Sequence, residues 1–454
     1  MIRSVSGVRG LTENEVTPSL AFRYGLAFAA QAPGTIAIGW DSRSGGDVLK
    51  DAVVQGILEA GGKVVDVGVT PTPTVGLIVR RHKLDGGVVV TASHNPEEYN
   101  GLKFFSRRGV FLYGNEVKRL FDAVDALPEE LGGAVSPESG DERVRRMGDA
   151  VREHESLVVA SPFVDRAAAE VARLRIVVDC VNAAGSVILP GLLRELGCEV
   201  VELNTDPGAG FPRGAEPVPE HLEQLSRAVV DEGAAAGFAC DPDADRLAAV
   251  DEHGVPLGEE FTLAIATRVV LEQKRGPIVA NASTSRMMDD LADEFEVPLH
   301  RTPIGEINVV AKMQEVDAVV GGEGNGGVIL PDVHAGRDAA IAAALLVTGL
   351  AGGGGSTMSG LAAHFTRYFS VKRKFRLDSV TREGIVEAMR EAFPDGTLDL
   401  TDGAKIAWPD RWIHARMSGT EPVVRVIAEA VSEADAKGLA DAAISAVTNS
   451  AGKA

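Results

Sequence analysis

The stretch Gly86-Gly87-Val88-Val89-Val90-Thr91-Ala92-Ser93-His94-Asn95-Pro96 joins a short apolar run to a polar turn. A valine run this short, ended by turn residues, reads as a strand buried inside a largely parallel sheet. Its polar end then falls at the carboxyl edge of that sheet, where α/β folds keep their ligand crevice. The same pattern recurs outward along the chain. Thr35-Ile36-Ala37-Ile38-Gly39 precedes polar Asp41-Ser42-Arg43, Gly46 to Ala60 carries helical periodicity, and Lys63 to Val67 reads as a strand. The rhythm returns near Leu174-Arg175-Ile176-Val177-Val178, near Gly237-Phe238-Ala239-Cys240 and near Ile278-Val279-Ala280. Alternation of this kind specifies the α/β class, here as three similar blocks. From about Tyr368 the pattern shifts to strands and amphipathic helices, which marks a smaller last domain.

Length and charge bound the rest. At roughly 150 residues per domain, a 454-residue chain holds about three domains rather than one core. The 65 acidic residues against 45 basic ones give a net charge of −20, which argues against nucleic acid as a partner. An anionic small substrate stays compatible, because a local arginine cluster overrides the global sign. Cys180, Cys198 and Cys240 fit neither a disulfide framework nor a zinc site and read as buried thiols. Met1-Ile2-Arg3-Ser4 lacks the apolar core of a signal peptide, and the longest apolar stretch, Ala339 to Leu350, is too short to span a bilayer. The expectation is a cytoplasmic protein with no membrane partner; the oligomeric state leaves no mark in the sequence. Gly132 to Glu142, the turn Val250-Asp251-Glu252-His253-Gly254 and the linker-like Gly352-Gly353-Gly354-Gly355-Ser356 are candidate punctuation between blocks.

Four loops carry chemistry. Ser93, at the end of its strand, is a candidate nucleophile or phosphoryl carrier that needs a base or a metal to activate it; a capping turn is the plainer reading. Asp241-Pro242-Asp243-Ala244-Asp245-Arg246 puts three carboxylates at alternate positions, where they can converge on one hard cation that offsets their repulsion. An EF-hand is excluded, since Arg246 stands where its turn needs glycine and Leu247-Ala248-Ala249-Val250 reads as a strand. Gly321-Gly322-Glu323-Gly324-Asn325-Gly326-Gly327 opens the backbone to a ligand, with Glu323 and Asn325 suited to hydroxyl groups. It lacks the Gly-Lys-Ser/Thr ending of a nucleotide-binding loop. Arg416-Met417-Ser418-Gly419-Thr420-Glu421-Pro422, with Arg425 beyond it, forms a plausible phosphate cradle, because arginine binds phosphate oxygens in pairs. Each of the last three, taken alone, is also a possible surface turn.

In this order and spacing the four loops resemble those of the α-D-phosphohexomutase family, which includes phosphoglucomutase, phosphomannomutase and phosphoglucosamine mutase. Ser6-Gly7-Val8-Arg9-Gly10, Gly39 to Arg43, Pro71-Thr72-Pro73, Asn100-Gly101-Leu102-Lys103, Phe211-Pro212 and Thr302-Pro303-Ile304-Gly305 extend the resemblance, which runs from Ser6 to about Arg425. It implies four domains around a central cleft: three similar α/β domains and a smaller C-terminal α+β domain. The division is 1–145 with the phosphoserine loop, 146–250 with the metal loop, 251–365 with the sugar loop and 366–454 with the phosphate loop. It implies that Ser93 is phosphorylated and that Asp241, Asp243 and Asp245 hold one Mg²⁺ together with a phosphoserine oxygen. Arg9, Lys103 and Arg246 would neutralise the phosphoryl group in flight. Thr302, Gly305, Glu323 and Asn325 would hold the sugar, and Arg416, Ser418, Gly419, Thr420 and Arg425 the phosphate that is not reacting.

The expected reaction interconverts hexose 6-phosphate and hexose 1-phosphate through a hexose 1,6-bisphosphate that turns over in the cleft. The sequence departs from the family's best-known sugar loop: Asn325 stands in place of a serine and Gly327 in place of a histidine. Lys103 and Glu323 are then the candidates for proton transfer, and His94 is expected to hold the serine loop. The form of Gly322 to Gly327, with Thr302-Pro303-Ile304-Gly305-Glu306-Ile307-Asn308, resembles most the phosphoglucosamine mutases of archaeal type, with phosphomannomutase and phosphoglucomutase as alternatives. A metal-dependent sugar phosphatase would not need Ser93, and a silent sugar-phosphate binder would need neither Ser93 nor the acidic loop.

Overall fold

The computed structural model describes residues 1–4, 7–129, 131, 141–352, 356–376, 381–418 and 423–451. It divides into two compact units, one of residues 1–273 and 325–362, the other of residues 274–324 and 363–454. Most of the polar stretch at 132–142 and of the linker at 352–356, and Gly419 and Thr420 of the phosphate loop, lie outside the described residues.

The first unit begins with a seven-stranded sheet in the order Ile2–Ser4, Gly7–Leu11, Tyr99–Ser106, Gly86–Val90, Thr35–Trp40, Lys63–Val69, Val144–Arg146. Thr35–Trp40 runs parallel to both Lys63–Val69 and Gly86–Val90. Every residue of Gly86–Val90 is buried, as its valine run requires. Thr17 caps the helix Pro18–Gln31, accepting from Leu20 N at 3.2 Å, and proline at the first helical position suits the same start. Helices and sheet close on a core that includes Tyr24, Phe28, Ile36, Val88 and Phe104. Lys103 lies opposite Val89, and Arg9 lies opposite Gly101 on the next strand, so pleating sends both cations to one face.

A second sheet has the order Leu247–Val250, Ala236–Cys240, Arg175–Asp179, Glu199–Leu203. Ala236–Cys240 pairs parallel with Arg175–Asp179 and antiparallel with Leu247–Val250, with Cys240 opposite Leu247. The acidic stretch 241–246 is therefore the turn of a hairpin. All three cysteines are buried and free. Val250 to Gly254 makes the expected turn, with the Asp251 side chain accepting from His253 N at 2.9 Å and Val255 N at 2.8 Å. Ala339–Gly352 is the expected core helix. Asp338 anchors it: Oδ1 accepts from Ala340 N at 2.9 Å, and Oδ2 lies 2.7 Å from His154 Nε2, while His154 Nδ1 lies 2.8 Å from Thr74 Oγ1.

In the second unit, Ile278–Asn281 runs parallel between Leu299–Thr302 and Val320–Glu323. A five-stranded antiparallel sheet follows, in the order Phe369–Arg376, Val423–Ala430, Arg411–Met417, Ala404–Ala407, Thr397–Asp399. Ile413, Ala415, Val424 and Val426 alternate into the core shared with Ile385, Met389 and Val447 of the helices Arg382–Ala392 and Glu433–Ala451. The alternate residues, including His414, Arg416 and Arg425, therefore point to the sheet face away from those helices. Among the described residues no helix is long and apolar enough to cross a membrane.

The Asp338 anchor carries a stability prediction. Burial alone would raise this carboxyl, yet the His154 charge and hydrogen bond hold it below the usual carboxylate range. The stability it contributes is present above the ordinary carboxylate value and is lost as pH falls through the depressed one. Asp338→Ala removes a helix cap and leaves a buried imidazole without its partner. It should cost about 2–4 kcal/mol in denaturant unfolding at neutral pH, with a smaller loss relative to wild type in acid.

Candidate functional site

The serine loop is built from behind. Ser93 sits in the left-handed region with φ 52°, a strained conformation for a non-glycine residue that neighbours must enforce. Its N–H donates to Thr91 Oγ1 at 2.8 Å, and Thr91 Oγ1 donates to Asp41 Oδ2 at 2.5 Å. Arg43 Nε donates to the same Asp41 oxygen at 2.8 Å, and the other nitrogens of its guanidinium donate to the carbonyls of Ser93 and Tyr99. Asp41 and Arg43 are almost wholly buried. Burial pushes the Asp41 carboxyl up, against the pull of Arg43 and Thr91. Arg9 Nη1 donates to Asn95 Oδ1 at 3.0 Å, so the N-terminal arginine does reach this loop. The holding role expected of His94 falls instead to Arg43 and Thr91. His94 Nδ1 is buried without a hydrogen-bond partner among the described residues. The Arg246 charge, then burial, drive His94 well below its ordinary value, which keeps it neutral.

Facing Ser93 is the acidic hairpin. Ser93 Oγ lies 3.4 Å from Asp241 Oδ2. Asp241, Asp243 and Asp245 are all buried, and each offers one oxygen such that the three lie within 4.8 Å of one another. Each carboxylate divides its oxygens. Asp241 Oδ1 accepts from the amides of Asp245 and Arg246, at 3.1 and 3.2 Å. Asp243 Oδ2 takes Lys103 Nζ at 2.6 Å and Thr72 Oγ1 at 2.5 Å. Asp245 Oδ2 takes Arg337 Nη2 at 2.7 Å and Lys103 Nζ at 3.3 Å. Oδ1 of Asp243 and Oδ1 of Asp245 have no hydrogen-bond partner among the described residues. Orphaned carboxylate oxygens in so small a space suit a hard divalent cation such as Mg²⁺, which prefers oxygen ligands.

The electrostatics agree. Burial and the charges of Asp245 and Asp243 push Asp241 well above the usual range. Burial would raise Asp245 too, but Arg337, Lys103 and Arg246 hold it down. Burial works to lower Lys103, and Asp243 and Asp245 more than reverse it, so the ammonium stays charged. Arg246 Nη1 pairs with Glu216 Oε1 at 2.9 Å.

The second unit holds the remaining predicted residues except Asn325. Glu323 is buried, and its Oε1 accepts from Asn281 Nδ2 at 2.8 Å and from Gly305 N at 3.0 Å. Thr302 is buried and pairs in register with Asn281. Glu323, Gly305 and Thr302 thus gather at one end of a parallel sheet. Arg416 and Arg425 are cross-strand neighbours, and Lys374 lies directly opposite Arg425 on the next strand. Like charges facing across a sheet repel, Asp402 offsets part of this at Arg416, and the row still suits a phosphate. Burial lowers Arg416, the nearby Asp402 carboxylate at 3.9 Å works against that, and the Arg425 charge adds to it. Ser418 N donates to Val423 O at 2.9 Å, closing the described part of the phosphate loop. Asn325 belongs to the first unit, where its Oδ1 accepts from Gly327 N at 3.3 Å.

Sequence reasoning gave no role to Asp41, Arg43, Thr72, Glu216, Arg337 or Lys374. Asp41 and Arg43 carried a usable signal: they follow the strand Thr35–Trp40 as Ser93 follows Gly86–Val90. The others meet the site only through long-range packing.

Four family models cover nearly the whole chain: phosphoglucomutase/phosphomannomutase α/β/α domain I over residues 1–130, domain II over 122–254, domain III over 258–368 and the C-terminal domain over 375–446. The chain belongs to this family, the α-D-phosphohexomutases, isomerases that relocate a phosphoryl group on a sugar phosphate. It is 36% identical over 95% of each chain to a protein from Thermococcus kodakarensis named phosphoglucomutase/phosphomannomutase. It is 37% identical, over 96% of this chain and 95% of the other, to one from Methanopyrus kandleri named "Probable phosphoglucosamine mutase". A solved family structure from Burkholderia thailandensis matches with TM-score 0.83 at 27% identity, covering 99% of this chain and 97% of that one.

The crowding at Asp241 yields a test. A raised carboxyl means that the folded protein prefers the protonated form, so its ionisation at neutral pH costs stability. Asp241→Asn should raise the melting temperature of the metal-free protein by about 2–4 °C. It should also abolish the further rise that Mg²⁺ gives the wild type; differential scanning calorimetry with and without EDTA reads both.

Proposed function

We propose that the chain interconverts hexose 6-phosphate and hexose 1-phosphate, with Ser93 as the phosphoryl carrier and glucosamine phosphate as the preferred sugar. The observation that carries this reading is Ser93 Oγ at 3.4 Å from a buried carboxylate triad with orphaned oxygens, beside Lys103 and Arg246. Asp241, Asp243 and Asp245 would hold Mg²⁺, which when bound would supply counter-charge to the phosphoryl oxygens. Arg9, Lys103 and Arg246 add fixed positive charge; catalysis of this kind is mostly positioning and charge stabilisation.

In the first transfer, the free hydroxyl of the sugar phosphate attacks phosphorus and the Ser93 Oγ–P bond breaks. The hydroxyl proton passes to a base. Lys103 is already protonated and committed to two aspartates, which supports Glu323 in that role. The hexose 1,6-bisphosphate then turns over. In the second transfer, Ser93 Oγ attacks the other phosphorus, the P–O bond to the sugar breaks, and the proton returns to the sugar oxygen. Thr302, Gly305, Glu323 and Asn325 orient the sugar. Arg416, Ser418, Gly419, Thr420 and Arg425 hold whichever phosphate is idle. The four parts fall at 1–145, 146–250, 251–365 and 366–454, and the enzyme works in the cytoplasm.

The name of the Methanopyrus kandleri relative supports glucosamine, and that of the Thermococcus kodakarensis relative supports glucose or mannose as alternatives. Intact-mass analysis should find one phosphate on the wild-type protein and none on Ser93→Ala. That variant should lose about 10³-fold or more in kcat. Coupled assays should rank glucosamine 6-phosphate above mannose and glucose 6-phosphates in kcat/KM by about tenfold or more. A Ser93→Ala protein with full turnover would defeat the carrier role, and steady release of inorganic phosphate would favour a phosphatase.

A further inference from the structure

Gly327 and Arg337 compete for one space. A Cβ on Gly327 would lie 2.3 Å from Arg337 Cδ and 2.9 Å from Arg337 Cγ. Gly327 begins the strand Gly327–Ile329 and is not among the residues with positive φ, so its backbone does not demand glycine. Space does. The stem of Arg337 fills the volume that any side chain at 327 would need, the position where the sequence lacks a histidine. At its far end the guanidinium grips Asp245 Oδ2 at 2.7 Å.

The arginine sits on rigid backbone. Asp338 N donates to Val328 O at 2.9 Å, and Ala339 N donates to Ala244 O, inside the acidic hairpin, at 3.1 Å. The Asp338 side chain is pinned by His154. Arg337 is 8% exposed and is positioned by the same elements that position the triad. Its charge is felt by His94, Lys103 and Arg246. Three cations, Lys103, Arg246 and Arg337, thus lie within 4.0 Å of triad carboxylates. Cations packed this closely repel one another, and the three carboxylates are committed to a divalent metal in the reading above. Glu216 answers part of this charge through Arg246 at 2.9 Å, and a phosphoryl group brought beside the triad would meet the rest. Guanidinium has five donors in a planar fork, enough to keep Asp245 and still meet a phosphoryl oxygen.

We propose that Arg337 is a further catalytic residue, a permanent cation for the phosphoryl group transferred at Ser93, admitted to the site by the missing side chain of Gly327. This rests on the mutase reading. Where a titratable side chain could stand on the sugar loop, this chain has the stem of an arginine whose charge sits against the metal loop at Asp245, so Arg337 stabilises charge and moves no proton.

The test compares Arg337→Met, Arg337→Lys, Gly327→Ala and the double variant Gly327→Ala/Arg337→Met. Single-turnover transfer from phosphorylated protein to glucosamine, mannose and glucose monophosphates is measured for each, with Mg²⁺ binding to the unphosphorylated protein by calorimetry. Arg337→Met should slow transfer about 10²–10³-fold while Mg²⁺ binds as tightly as in wild type or more tightly, since a repelling charge has gone. Arg337→Lys should recover about tenfold of that loss. Gly327→Ala removes no group from the site, yet it should slow transfer by displacing the arginine stem, and the double variant should be no slower than Arg337→Met alone. If Arg337→Met does not fold, the Lys and Gly327→Ala variants still decide the matter by the same comparison. Transfer within threefold of wild type in Arg337→Met, or in both of those variants, overturns the proposal. So does a loss of Mg²⁺ affinity that accounts for the slower transfer, because Arg337 would then only prop Asp245. A wild-type protein that carries no phosphate and transfers none to any of these sugars would instead sink the mutase reading.

Discussion

Three carboxylates held out of water, one of them 3.4 Å from a serine hydroxyl, are the constraint around which this chain is built. Charge of one sign at such density is expensive in a protein interior, and two oxygens of the set have no hydrogen-bond partner among the described residues. The protein's answer is division of labour within each aspartate. One oxygen is spent on the protein, on backbone amides at Asp241, on Lys103 and Thr72 at Asp243, and on Lys103 and Arg337 at Asp245. The rest point at one small volume. A hairpin turn of six residues can do this only because its ends are fixed by antiparallel pairing of Cys240 with Leu247.

The groups that satisfy the triad come from far along the chain, and this ties the fold to the chemistry. Thr72 opens the helix that follows one strand of the large sheet, Lys103 rides another strand, and Arg337 precedes the core helix Ala339–Gly352. Packing that orients those elements therefore sets the electrostatics at Ser93. The serine loop shows the same economy. A strained backbone at Ser93 is held by a buried Asp41–Arg43 pair whose guanidinium reaches the loop's own carbonyl. The strain keeps the hydroxyl on the side of the triad, and the cost is met by hydrogen bonds outside the reacting space.

Much of this was legible in the sequence, and the illegible part has a physical pattern. Strand runs such as Gly86 to Val90 and Ala236 to Cys240 show because burial on both faces leaves continuous apolar residues. The loops Thr91 to Pro96 and Asp241 to Arg246 show because their chemistry is contiguous. Glu216 and Arg337 do not, since each meets the site across long sequence separation. His94 misled for the opposite reason: adjacency to Ser93 suggested support for the loop, while the support comes from Arg43, fifty positions earlier. Lys374 becomes visible only once strand register sets it opposite Arg425.

Gly327 joins these two kinds of residue. Read as a letter it is an absence, a place where an imidazole is missing. Read in space it is the entry for Arg337, because the Cβ of any other residue would meet the arginine stem. A side chain at 327 and the arginine stem of 337 cannot share that space without one of them moving. The consequence falls on proton transfer: Arg337 and the doubly committed Lys103 are both cations that accept no proton, and His94 is kept neutral by the charge of Arg246. In the proposed mechanism such fixed positive charge would stabilise the phosphoryl group in flight and leave the acid–base work to a carboxylate, the role proposed above for Glu323, which Asn281 and Gly305 anchor.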